Sequence, residues 1–228
     1  MVEERARERC RVREDGRMVE GVGDGAAASS QTRPGRRRRT PSADVERELI
    51  GAAEAVLARD GIAGLTVRAI AEEAGIAQTT VYNRYGEKKA LIEELMIRIL
   101  DRATAVYASG DEPDMRDRLI GTALRFRAFY LENPNFFEIM YEMPFPRREA
   151  RQEVHQHAAA SMAALRGIVE LAAAAGVISV RESAHSVTQQ LWWAMHGAVS
   201  LELKDLIVTP DRDASYRAYL ETFLRGLA

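Results

Sequence analysis

From Ser42 onward apolar residues return every three or four positions, the spacing that puts them on one face of an α-helix, and turn-forming residues cut the pattern into segments. Val45, Leu49, Ala52, Val56 and Leu57 mark a helix over Ser42–Arg59, stopped by Asp60-Gly61; Ser42 or Thr40 can cap it, and Pro41 suits a first turn. Two short segments follow, Val67–Ala74 with Thr66 as its cap, and Gln78–Tyr85. A fourth helix starts near Lys88 and continues to about Val106, ahead of the breaker SGDEPD. The pattern then predicts helices over Met115–Leu131, Asn135–Tyr141, Arg147–Ala175, Ser183–Asp205 and Asp211–Leu227, with Asn133-Pro134, MPFP and Gly176 between them. No stretch of useful length alternates with period two, and there is no internal repeat. The expected fold is therefore all-α, with about nine helices.

Before Ser42 the chain changes character. Charges alternate in sign through the first residues and GVGDGAAASSQ follows, with too little apolar surface to offset the entropy of ordering, so residues 1–41 are expected to form a disordered basic arm. Gly21, Gly23 and Gly25 echo a phosphate loop, but no strand precedes them and no helix follows at the right spacing; a linker is the simpler reading. The run RPGRRRRT sets Arg36, Arg37, Arg38 and Arg39 just ahead of the first helix. Alone it could be a solvated tail. Its position before the segment described next favours an arm that adds phosphate contacts or enters a minor groove.

Leu65–Leu91, LTVRAIAEEAGIAQTTVYNRYGEKKAL, organises the rest. Ala71 is small where two helices must cross closely, Gly75 can take the positive φ of a sharp turn, and Val81 is an apolar plug beneath the second short helix, with Ile70, Ala74 and Ile76 sealing a small core. This is the geometry of a helix-turn-helix. Val81 and Tyr85 should face inward, leaving Gln78, Thr79, Thr80, Tyr82, Asn83 and Arg84 toward a groove. Gln and Asn can bond adenine edges, Arg can do the same to guanine, and Thr can meet a thymine methyl. Thr66, together with the amides of the turn it caps, suits a backbone phosphate; so do Tyr82 and Lys88. Each polar residue could equally be an ordinary exposed helix position, and only the shared register argues for DNA.

Composition narrows the alternatives. At 228 residues the chain can bury a sizeable core in one large or two small domains. Its formal net charge of -2 conceals the clustered arginines, so charge distribution points to nucleic acid where net charge does not. The single cysteine, Cys10, excludes an internal disulfide or a cysteine-rich zinc site. No apolar run would span a bilayer and the N-terminus lacks a secretory core, so a cytoplasmic protein without membrane partners is expected. His155 and His157 are two apart, on different sides of a helix, and no hydrolase, metalloprotease or nucleotide-binding motif occurs. No enzymatic activity and no cofactor or metal is expected. Glu72-Glu73 and Glu93-Glu94 read as solvated helix faces.

GIAQTTVYNRYGEKKALIEEL resembles the DNA-binding segment of the TetR family of bacterial transcriptional regulators, whose pattern runs close to G-V-S-x-G-T-L-Y-x-Y-F-x-x-K-x-x-L. Gly75, Thr80, Val81, Tyr82, Tyr85, Lys88 and Leu91 stand in equivalent places. Ala77 replaces the usual capping Ser, Thr79 a frequent Gly, and Gly86 a common Pro. The resemblance covers Ser42 to Leu95. It implies a helix-turn-helix DNA-binding domain over 42–89 and a helical effector-binding and dimerisation domain over 90–228. Further on, LWWAMHGAVSLEL and NPNFFEIMYEMP resemble stretches of one TetR subgroup with a W-x-x-x-H-G signature, carried here by Trp192, His196 and Gly197.

Within that second half, Phe126, Tyr130, Phe137, Met140, Tyr141, Trp192 and His196 are candidates to line an effector cavity, or else to fill a core; Trp193 and Gly197 read as packing residues. The family pairs its last two long helices across a dimer. Leu191, Met195, Val199, Leu206, Tyr216, Tyr219, Leu220, Phe223 and Leu227 supply more apolar surface than one subunit should need. The implied function is a ligand-responsive repressor binding a palindromic DNA operator as a homodimer, with an unidentified small-molecule effector. An activator of the same fold, or an all-α small-molecule binding or catalytic protein with a vestigial helix-turn-helix, stays open.

Overall fold

A computed structural model describes residues 42–142, 145–180 and 183–228. The expected arginine arm, with Arg36, Arg37, Arg38 and Arg39, and the caps at Thr40 and Pro41 lie outside those residues. The described residues form nine α-helices and no strand: α1 Ser42–Gly64, α2 Val67–Ala74, α3 Gln78–Tyr85, α4 Lys88–Ala108, α5 Met115–Glu132, α6 Pro134–Tyr141, α7 Gln152–Ala174, α8 Ala184–Leu203 and α9 Arg212–Leu227. They belong to one compact unit from Thr40 to Ala228.

The helix that Asp60-Gly61 was expected to stop breaks there and resumes for one turn. Gly61 has φ 67° and ψ −172°, outside any helical region, so α1 is two helical pieces joined at a kink. A residue from elsewhere in the fold closes the first piece. The Asn135 side-chain amide, at the start of α6, donates to the carbonyls of Leu57 (2.8 Å) and Ala58 (3.1 Å), in the turn just before the break. The seventh helix begins five residues later than its periodicity predicts. Arg147–Glu149 is a short 3-10 turn, and Ala150 and Arg151 are extended.

Helix α4 is the central element. Leu91, Ile92, Leu95, Met96, Ile97, Ile99, Leu100 and Tyr107 are buried and lie on nearly every side of it, as expected for a helix enclosed by others. It packs most extensively on α7 and also contacts α1, α3, α5 and α6. Ion pairs add to its contact with α1, because Glu54 receives Arg98 (2.7 Å) and Arg102 (3.0 Å) from successive turns.

The three constrained positions of the helix-turn-helix are occupied as their chemistry demands. Ala71 and Val81 are buried, and Gly75 closes α2 at φ 65°, its N–H bonding back to the carbonyls of Ala71 and Glu72. A Cβ added at Gly75 would touch nothing within 4 Å, so any cost of a side chain there is conformational. Gly75→Ala should therefore lower unfolding free energy by about 1 kcal/mol and Gly75→Asn by less, since Asn tolerates left-handed φ. Urea denaturation of the two variants against the parent measures the difference.

Candidate functional site

Helix α3 lies on the surface with its apolar residues turned in. Val81 is buried and Tyr85 half-buried, whereas Gln78, Thr79, Tyr82, Asn83 and Arg84 are exposed and Thr80 is partly so. This is the side expected for each. Tyr82 has 54% of its surface free, an unusual state for an aromatic side chain that no neighbour covers. Thr66 caps α2 by accepting the Ala69 N–H at 3.1 Å, which leaves its hydroxyl hydrogen able to donate outward. Ala77 caps α3 without any side-chain bond, as its methyl dictates. Gly86, where relatives of this motif often carry Pro, has φ 67°, a value proline's ring cannot reach. Lys88 starts α4 and its ammonium lies 3.4 Å from the Ile62 carbonyl, holding it over the turn between α1 and α2. Arg84 is ion-paired with Glu46 of α1, which ties the end of α3 to the first helix.

Behind this face, the segment joining α6 to α7 straps the first two turns of α4. Lys89 donates to the Glu149 carbonyl at 2.6 Å and stands 5.0 Å over the Phe145 ring. Glu93 accepts the Arg151 N–H at 3.0 Å, and Glu94 pairs with the Arg151 guanidinium. The expectation that Glu93-Glu94 is a solvated face is thus wrong. Glu93 is buried because it caps the start of α7, a partner 58 residues away that no local pattern announces. Tyr85 and Gly86, at the end of α3, line the same hollow as Glu149 and Arg151.

The residues expected to form an effector site do assemble, around His196. Its ring centroid lies 3.9 Å from Tyr141, 4.3 Å from Trp192, 5.2 Å from Phe137, 5.4 Å from Phe126 and 6.5 Å from Tyr130. Phe126 and Tyr130 are the buried wall behind, each 1% exposed, and Met140 of α6 is buried to the same extent. Tyr130 and Tyr141 share a long hydroxyl contact at 3.5 Å, and burial pushes the Tyr141 phenol up to about 12. Phe137, Tyr141 and His196 also border an open cleft of about 480 Å³ between the end of α6 and the middle of α8. Trp193, and not Trp192, is the tryptophan lining it. Both His196 nitrogens are shut off from solvent without a hydrogen-bond partner among the described residues.

On the other edge of α8 the packing expectation fails for Trp193 and Gly197. Trp193 is 61% exposed, and a Cβ on Gly197 would meet nothing within 4 Å. Leu191, Met195, Val199, Tyr216 and Leu220, expected to supply surplus surface, are instead buried in the subunit's own core. The surplus consists of Trp193, Leu201, Leu206 and Tyr219, and a groove of about 400 Å³ runs between α8 and α9 beside Trp193 and Tyr219. The groove is floored by a network that sequence reading missed. Arg127 of α5 holds Glu202 through two bonds of 2.6 and 2.7 Å, reaches Asp213 at 2.7 Å and lies 5.4 Å over the Tyr216 ring. An arginine beside Phe126 and four positions after Ala123, on the same helix face, was the available signal. Arg127 and Glu202 are nearly buried while Asp213 is exposed, so it is breaking the Arg127–Glu202 pair that carries the cost typical of a buried ion pair, about 3–5 kcal/mol.

The His196 environment has a measurable consequence. Burial among rings lowers its imidazole from the ordinary 6.5 to about 4, so the unfolded chain takes up a proton before the native protein does. Its contribution to stability is complete above pH 6.5 and is lost as pH falls toward 4. Compared with His196→Leu, the parent should lose about 3 kcal/mol more between those limits. Urea titrations at several pH values test this, and parallel curves for the two proteins would refute it.

Comparison with known proteins agrees with this geometry. The family model described as "Bacterial regulatory proteins, tetR family" matches residues 49–95, and that described as "Tetracyclin repressor-like, C-terminal domain" matches residues 119–223. A search of curated proteins finds no match. Among solved structures, a protein of unknown function from Rhodococcus sp. RHA1 is 27% identical, with a TM-score of 0.73 over 85% of this chain and 99% of that one. A regulator from Rhodococcus sp. assigned to the TetR family is 22% identical, with a TM-score of 0.64 over 79% and 99%. The transcriptional regulator FadR from Bacillus subtilis, in complex with stearoyl-CoA, is 19% identical with a TM-score of 0.63 over 80% and 100%. With a matching DNA-binding segment, a matching C-terminal domain and the same helical fold, the chain belongs to the TetR family of transcriptional regulators.

Proposed function

We propose that this regulator is a ligand-responsive repressor that binds a palindromic operator as a homodimer. The observation that carries the proposal is the outward row of polar side chains on α3, with Thr66, Tyr82 and Lys88 around it. Gln78, Thr79, Thr80 and Asn83 read base edges; Arg84 joins them by releasing Glu46. Thr66, Tyr82 and Lys88 grip phosphates, and Arg36, Arg37, Arg38 and Arg39 extend the grip from the N-terminal arm. In domain terms, 1–41 is the arm, 42–89 binds DNA, and 90–228 binds effector and partner subunit.

The exposed groove between α8 and α9 supports pairing with a second copy, since the large apolar side chains of Trp193, Leu201 and Tyr219 stand exposed together along it. A two-fold dimer sets its recognition helices about one DNA turn apart, roughly 34–36 Å. Phe137, Tyr141, Trp193 and His196, backed by Trp192, Phe126, Tyr130 and Met140, take up the effector. A ligand that shifts the end of α6 pulls on the strap from Phe145 to Arg151, hence on the first turns of α4 and on α3. It must bind the released and DNA-bound states unequally to do so.

Selection from genomic fragments should return one palindromic sequence, and its absence would count against the repressor. On that duplex, replacing Tyr82 and Lys88 by Ala should weaken binding for every sequence and reduce the salt slope by about 1, the share of the lysine. An unchanged slope would remove Lys88 from the phosphate contacts. Asn83→Ala should cost about 1–3 kcal/mol at particular base pairs and leave others alone. A loss equal across all single-base operator variants would mean that Asn83 reads no base.

A further inference from the structure

We propose that the cleft beside His196 selects an uncharged planar molecule carrying a hydrogen-bonding group on its edge, and that one nitrogen of the His196 imidazole reads that group. The inference rests on the effector reading above and adds to it the chemical class of the ligand.

Shape comes first. The cleft is walled by Phe137, Tyr141 and Trp193, and its volume of about 480 Å³ suits a small bicyclic or tricyclic body. Flat, polarisable walls favour a flat ligand that can stack or meet them edge-on.

Besides Glu142, Ser200 and Lys204, the polar group at the cleft is the His196 imidazole. A neutral imidazole carries one N–H donor and one bare nitrogen acceptor, and here neither is used among the described residues. Phe126, Phe137 and Trp192 offer those nitrogens no acceptor, while the two nearby phenols, of Tyr130 and Tyr141, already face each other. The two nitrogens point to opposite sides of the ring, so a ligand edge meets one of them at a time, and an edge bearing a donor or an acceptor completes that nitrogen. A ligand with neither leaves both nitrogens buried and unpaired.

Charge supplies the third criterion. The cation at the rim, Lys204, is held by Glu142 at 2.8 Å across the mouth, from the end of α8 to the residue after α6. An anion entering the cleft must compete with Glu142, and a cation with Lys204. A CoA thioester such as the stearoyl-CoA in the Bacillus subtilis FadR complex carries several phosphate charges, for which this rim offers one lysine that is already paired.

Access runs through Tyr141. It is the last residue of α6, it is only partly buried, and its ring stands edge-on to the imidazole at 82°. Moving that ring uncovers His196 and displaces the helix end that leads into the strap on α4.

The chain contains two tryptophans, Trp192 and Trp193, and both stand at this site, so intrinsic fluorescence reports on the cleft. Full-length protein is titrated with quinolin-2-one, whose ring amide supplies the donor and acceptor; with naphthalene, of the same outline without them; with 2-naphthoate; and with stearoyl-CoA. Quinolin-2-one should bind saturably and about tenfold more tightly than any of the others. His196→Phe should bring it to the level of naphthalene while the far-ultraviolet dichroism stays unchanged, and His196→Gln, which keeps a donor and an acceptor, should restore most of the affinity. Equal binding of naphthalene, preference for either charged probe, no saturable binding, or indifference to His196→Phe overturns the proposal. Retention of the same protein on duplex DNA at low ionic strength is scored separately. Probe binding without DNA binding sinks the regulator reading alone, and DNA binding without probe binding sinks this inference alone.

Discussion

The enclosure of α4 is the constraint on which the rest of the structure depends. Leucine, isoleucine and methionine side chains leave it on nearly all sides, and each contributes roughly 1.5–3 kcal/mol only when something covers it. Helices α1, α5, α6 and α7 all rest on that one rod, and α3 is seated against its beginning. A displacement at one end of α4 cannot be absorbed locally, because close-packed interiors transmit strain and do not dissipate it. A single helix thus belongs both to the DNA-binding face and to the aromatic core.

Polar contacts mark where this coupling is held. Glu54 ties α1 to two turns of α4; Glu93 and Glu94 fasten the entry to α7; Lys89 clasps the turn before it. Most involve partly exposed groups, and such pairs individually contribute little stability. Their value is in direction: a charged hydrogen bond fixes which atoms stay together when two elements could slide. The Arg127 set is different in kind, because its Arg127–Glu202 pair is nearly buried while Asp213 stays exposed. It joins α5 to α8 and α9 beneath the exposed groove, so that the aromatic core and the outer helices share one internal anchor.

The site around His196 carries the least compensated chemistry among the described residues. Five rings surround an imidazole that makes no hydrogen bond with them. Packing alone would have been better served by leucine or phenylalanine. The uncompensated imidazole is the feature on which the proposed effector site rests.

What could be read in the sequence was whatever depends on neighbours in the chain. The limits of α2 and α3, the cap at Thr66, the missing cap at Ala77, the positive φ of Gly75 and the inward turn of Val81 all follow from propensity, periodicity and backbone sterics within a few residues. The pairing of Phe137 with Tyr141 and of Trp192 with His196 was also legible, because residues four apart share a helix face, but the meeting of the two pairs was not. Only the tertiary structure decided which side of a two-sided helix faces in. Met195 and Trp193 are both apolar on α8, yet one is fully buried and the other is 61% exposed, and hydrophobicity alone does not rank them. Only the fold, likewise, could bring Glu93 to Arg151, Arg127 to Glu202 or Asn135 to the open end of α1. Those bonds join residues 58 to 78 positions apart, where sequence carries the partners' chemistry but not their proximity; proximity is set by how the helices stack around α4.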